Sequence, residues 1–130
     1  MTVPTVATYS AAALIAAHTT FKTLVDAAAT AGMVRIRSAA DVLLAEIPLT
    51  DPCGSVNGTT GQLTITPAGA DDSANATGTA AYGEICDGDG TVLLALPASA
   101  GGTAVAGYIV LNTLSIVASG QVSAISVTIG

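Results

Sequence analysis

Glu46 and Glu84 are the first residues in this sequence to weigh for chemistry. Two carboxylates converging across a cleft can divide the work of general acid and general base in hydrolysis. Both lie in strand-like segments, where solvated carboxylates are far commoner, and nothing in the sequence turns them toward each other. An enzyme reading would need that convergence, so the chain is expected not to be one. The single histidine, His18, falls on an apolar helical stripe. A catalytic or ligating imidazole needs partners, and the sequence places none beside it, so His18 reads as a packing or interface residue. Asp87-Gly88-Asp89-Gly90 resembles the opening of a calcium loop. Such a loop needs a glutamate at its twelfth position; that position is Ala98, and no acidic residue follows Asp89. The segment therefore reads as a tight hairpin turn. Asp71 and Asp72 could join Asp87 or Asp89 only in a weak surface ion site. GxSxG, HExxH, P-loop and CxxC patterns are all missing. No cofactor or metal is implied.

Arg35 and Arg37 are two of only three basic residues. Their i, i+2 spacing puts them on one face of a strand. That face is either simply wet or a contact for an acidic partner, such as a neighbouring subunit's carboxylates. Cys53 and Cys86 do not make a disulfide framework. Reduced thiols are the default, and the two can pair only if the fold brings them together. Asn57-Gly58-Thr59 and Asn75-Ala76-Thr77 match the glycosylation triplet, which matters only in a secreted eukaryotic protein.

The elements that position these residues follow from periodicity. Residues 1–7 read as an extended arm, with Pro4 blocking helix there. Residues 8–31 have helical spacing: Leu14, His18, Phe21, Val25 and Ala28 form one stripe. Ser10 or Thr8 can cap its start, and Gly32 can supply a left-handed residue at its end. After Gly32 the period becomes two. Val34 and Ile36 alternate with Arg35 and Arg37, and 42–49 returns as a second strand. Residues 51–61 read as an irregular loop rich in turn residues. Strands are then expected at 62–67, 77–87, 91–96, 108–111, 115–117 and 121–129, with a small-residue loop at 97–107. Short strands at this spacing predict one mainly β domain, an antiparallel β-sandwich or jelly roll over 33–130, with one N-terminal α-helix.

Composition bounds the rest. At 130 residues the chain can bury a core without staples, and 51% of it is apolar, which excludes a disordered chain. The apolar residues are small, with no Trp and a single Phe. A net charge of −6 argues against nucleic acid and against a basic membrane-surface segment. No stretch has the length of a membrane span, and the N-terminus lacks the basic region of a signal peptide. From Gly90 to Gly130 there is no charged side chain. Such a stretch is either wetted by Ser, Thr and Asn or covered by the fold or by partners.

Four segments in order resemble a family of small tailed-phage virion proteins: Met33–Ser38 (MVRIRS), Leu43–Leu49 (LLAEIPL), Gly78–Gly90 (GTAAYGEICDGDG) and Leu111–Val122 (LNTLSIVASGQV). They match, respectively, that family's Leu-Arg-Ile-Tyr strand, its Leu-Leu-Ala-Glu-Ile-Thr-Leu strand, its Gly-Thr-Ala strand-and-turn and its Leu-Asn-x-Thr-Ser-Ile strand pair. Glu84 stands where the third segment of the family carries Arg. The resemblance implies a structural β-sandwich similar in role to capsid cement or decoration proteins. It would be made in the host cytoplasm and carried on the capsid surface. Its expected partners are the major capsid protein and further copies of itself, as a dimer or trimer. The alternative is a tail or baseplate spike component binding the host surface, although three tyrosines and no Trp give little for stacking on carbohydrate. The candidate contact residues are Thr2, Val3, Pro4, Thr5 and Val6 in the arm, with Arg35, Arg37 and Tyr108.

Overall fold

The computed structural model describes residues 7–130. The candidate arm residues Thr2, Val3, Pro4, Thr5 and Val6 lie outside the described residues. Helix α1 spans Ala11–Val25. Ser10 is its cap, its Oγ accepting the Ala13 N–H at 3.2 Å. The expected stripe faces inward: Leu14, His18 and Phe21 are half-buried and Val25 fully buried. The helix is shorter than the 8–31 expected from its spacing. Asp26 ends it by turning its carboxylate to the Cys53 N–H, at 2.9 Å, which ties the exit of α1 to the sheet. Gly32 is not the helix terminator. It is buried where a Cβ would lie 2.6 Å from Val25 Cγ1 and 2.7 Å from the Cys86 carbonyl.

Eight strands follow: β1 (Met33–Ser38), β2 (Leu43–Val56), β3 (Leu63–Pro67), β4 (Gly78–Cys86), β5 (Val92–Ala100), β6 (Ile109–Leu111), β7 (Ser115–Ile116) and β8 (Val127–Ile129). Their order is β6-β5-β4-β1-β2-β3-β8, with β7 beside β4. The class is as expected, mainly β with one N-terminal helix. The sheet is mixed rather than wholly antiparallel, because β5 and β6 run parallel. It also curls until its ends meet. Ile125 N–H donates to Val110 O at 3.1 Å, Asn112 N–H to Ser123 O at 3.0 Å, and Gly107 N–H to Thr128 O at 2.8 Å. The result is a nearly closed, barrel-like sandwich.

Three boundaries differ from the sequence expectation. β2 runs on to Val56 through the segment read as a loop, pairing first with β1 and then with β3, its register shifting between Leu49 and Gly54. The Asp51–Pro52 peptide is cis. β5 extends to Ala100 because its second half finds β6 as a partner. The long last strand is only β8, with Val122 and Ala124 making isolated bridges before it.

The core is aliphatic. Val34, Ile36, Ile47, Leu63, Ile65, Ile85, Ile109, Leu111 and Ile116 are all essentially inaccessible. Adjacent Leu44 and Ala45 are both buried, although a strand with one covered face alternates. A bulge does it: Ile36 pairs with Ala45 and Arg37 with Leu43, leaving Leu44 as the extra residue. The outer edge of β2 is covered too. Asp71 Oδ2 accepts the Glu46 N–H at 2.8 Å, Ala68 N–H donates to Pro48 O at 2.8 Å, and Asn75 N–H to Leu44 O at 2.7 Å. No described helix is long and apolar enough to cross a membrane.

Candidate functional site

Alternation on β1 sends Val34 and Ile36 into the core and Arg35 and Arg37 to the outer face of β5-β4-β1-β2. Register then selects their partners. Glu46 on β2 and Glu84 on β4 both stand opposite Arg35, one on each side. Arg35 takes the first, its Nε 3.4 Å from Glu46 Oε2, and its Nη1 donates to the Gly90 carbonyl at 3.5 Å. Glu84 is taken diagonally by Arg37, whose Nε donates to Oε1 in a short contact. Arg37 Nη1 also donates to the Asp41 carbonyl at 3.3 Å, and its Nε lies 3.8 Å from Asp41 Oδ1. Asp41 occupies the left-handed region at φ 65° in the β1–β2 turn, a conformation Asp tolerates. Its carboxylate accepts the Tyr82 hydroxyl.

These residues form a ladder across the middle of the sheet. The hydrogen bond to Glu84 raises the Arg37 pKa, against the opposing effect of desolvation, and the bond to Asp41 raises that of the Tyr82 hydroxyl. Glu84 is only 15% exposed despite facing outward, because neighbouring strands and the arginine cover it. The two glutamates therefore share one face, as a hydrolytic pair would, but Arg35 stands between them and each is committed to a guanidinium. The third cation, Lys22, reaches Asp26 at 3.5 Å. Every basic side chain is thus paired within the chain.

The other candidates take structural positions. His18 Nδ1 donates to the Gly61 carbonyl at 2.6 Å and the ring packs against Gly130. Asp87 Oδ1 accepts the N–H groups of Asp89 and Thr91, at 3.0 and 2.9 Å, closing the β4–β5 hairpin. Asp72 takes Gln121 Nε2 at 3.0 Å. Among the described residues no group of three His, Cys, Asp or Glu side chains could hold a metal ion. Cys53 and Cys86 are both free and buried. Burial first, and the Asp26 carboxylate next, push the Cys53 thiol up to about 12; burial also raises Cys86. Both are thiols rather than reactive thiolates at neutral pH.

Tyr108 is not brought to the arginines. It is 39% exposed at the entry to β6, beyond β5 and β4 from β1, in a loop with Val105 at 46%. Sequence reasoning singled out the arginines but not Asp41 or Tyr82. The signals were present: Asp41 is four residues after Arg37, and Tyr82 shares strand parity with Glu84. No family model, curated protein or solved structure matches this chain.

Proposed function

We propose that this chain is a structural protein of a tailed-phage virion, a capsid decoration or cement protein that binds the outer capsid surface and bridges neighbouring subunits. The observation that carries the reading is how its surface chemistry is divided. All three basic side chains are paired with carboxylates of the same chain. The stretch from Gly90 to Gly130 has no charge, and Val92, Val105, Tyr108 and Val117 stand exposed on it, Val117 at 62%. A surface without charge loses little hydration when covered, so burying it against a partner is favourable. The barrel acts as a rigid block that carries these contacts. Thr2–Val6, which the sequence leads one to expect as an extended segment, would add a further attachment against a sheet edge of the major capsid protein. Contacts to several subunits at once multiply individually modest affinities, and copies grouped as dimers or trimers would follow the local symmetry of the shell.

The test is rebinding. Purified protein is added to capsids stripped of it, and the particles are heated while genome release is followed. Binding to the head with a raised release temperature supports the proposal. Protein located by gold-labelled antibody at the tail tip alone would replace it with the host-binding reading.

A further inference from the structure

The β2–β3 connection contains the chain's one Asn-Gly pair, Asn57-Gly58. The turn is built around the Asn57 side chain. Asn57 Oδ1 accepts two backbone N–H groups, from Thr59 at 2.8 Å and from Thr60 at 2.9 Å. The Asn57 backbone is fixed at both ends, its N–H donating to Gln62 O at 2.8 Å and its carbonyl accepting Gly61 N–H at 2.9 Å. Asn57 is exposed, and Gly58 has nothing within 4 Å of the place a Cβ would occupy.

We infer that Asn57 is a self-modification site, converting through a cyclic imide to aspartate and isoaspartate, and that the isoaspartyl product loosens helix α1. The Gly58 amide nitrogen attacks Asn57 Cγ, forming an N–C bond. The Cγ–Nδ2 bond breaks, and the proton displaced from Gly58 N leaves with the side-chain nitrogen as ammonia. Water then opens the imide. Attack at Cγ gives aspartate, and attack at the main-chain carbonyl gives isoaspartate. Negative charge develops on Oδ1 during the first attack, where two N–H donors already point, the arrangement of an oxyanion hole. The absent side chain at Gly58 leaves the approach unhindered.

The consequence for α1 follows from where this turn sits. A Cβ on Gly61 would lie 2.6 Å from Leu14 Cβ and 3.0 Å from the Ala11 carbonyl, so the turn packs directly on the helix. His18 bonds the Gly61 carbonyl. Aspartate at 57 preserves that backbone. Isoaspartate inserts a methylene into it and shifts Gly61 away from its place against Leu14 and His18.

The full chain is incubated at mildly alkaline pH, with and without urea. Peptide mapping by mass spectrometry then follows Asn57, Asn75 and Asn112, and fragmentation distinguishes the two aspartyl isomers. The expected result is conversion at Asn57 in the folded chain at least as fast as in urea, with Asn75 and Asn112 unchanged. Gly58→Ala, which has room for its methyl group, should fold normally and convert about tenfold more slowly. Hydrogen exchange in α1 should be faster in the isolated isoaspartyl form than in the aspartyl form. Conversion in urea but not in the folded chain would overturn the inference, because the two N–H groups would then lock the side chain instead of activating it. Equal exchange in the two isomeric forms would overturn the link to α1.

Discussion

Gly54→Ala should be the most damaging small substitution in the sheet. Gly54 faces Ile65 across the β2–β3 ladder. A Cβ there would lie 1.8 Å from the Thr64 carbonyl oxygen, 2.8 Å from its carbon and 3.0 Å from Ile65 Cα. All three obstacles are backbone, so no rotamer change relieves them. Restoring ordinary contact means separating the strands by more than about 1 Å, which takes the neighbouring ladder bonds beyond hydrogen-bond range. Losing two such bonds costs about 1–3 kcal/mol and the overpacking a further ~1–3 kcal/mol. A total of about 2–6 kcal/mol is a large part of the ~5–15 kcal/mol that holds a domain folded. For a chain of this size it corresponds to a fall in Tm of roughly 8–24 °C. Thermal unfolding followed by circular dichroism measures it, with Gly69→Ala as the control, since nothing lies within 4 Å of its Cβ position. A Gly54→Ala protein melting with the wild type would refute the close approach of β2 and β3 at this point.

Three other perturbations test separate parts of the structure. Arg37→Met leaves Glu84 without its cation and should cost about 1–3 kcal/mol, between the values for exposed and buried pairs; adding Glu84→Leu should return most of that loss in the urea midpoint. Asp71→Ala strips the Glu46 N–H of its acceptor and should cost about 1–2 kcal/mol, with faster hydrogen exchange at the Glu46 amide, whereas Asp71→Asn keeps the acceptor oxygen and much of the stability. Cys53 is raised from 9.0 to about 12, so the folded chain holds this proton more tightly than the unfolded one. Its contribution is full below pH 9 and is lost as pH rises toward about 12; Cys53→Ala should show a flatter decline of stability across that window.

The central strands were legible because burial imposes alternation. Val34 and Ile36 against Arg35 and Arg37 define β1 without any knowledge of its neighbours. The β4–β5 hairpin was legible from Asp87 to Gly90, where side-chain capping and glycine act locally. The misreadings all depend on distant partners. The helix stops at Val25 because Asp26 finds a backbone N–H in β2, twenty-seven residues away. Asp51 to Val56 looks like loop by composition, yet it is strand because β3 supplies the ladder. The partners of Arg35 and Arg37 were ambiguous for the same reason: Glu46 and Glu84 are opposite Arg35 only once β2 and β4 have taken their places on either side of β1.

The covered edge of β2 bears on how such a chain survives at high concentration. It is apolar, sparsely charged and richer in strand than in helix, a combination that invites fibre growth wherever a strand leaves its donors and acceptors open. Asp71 closes one such opening with a carboxylate in place of a neighbouring strand, and Asp26 closes another at Cys53. A charged oxygen fills the hydrogen-bonding position but offers nothing for a further chain to extend. Removing either aspartate would expose a short adhesive edge, and the damage would be seen as turbidity that grows with concentration, even in a protein that still folds.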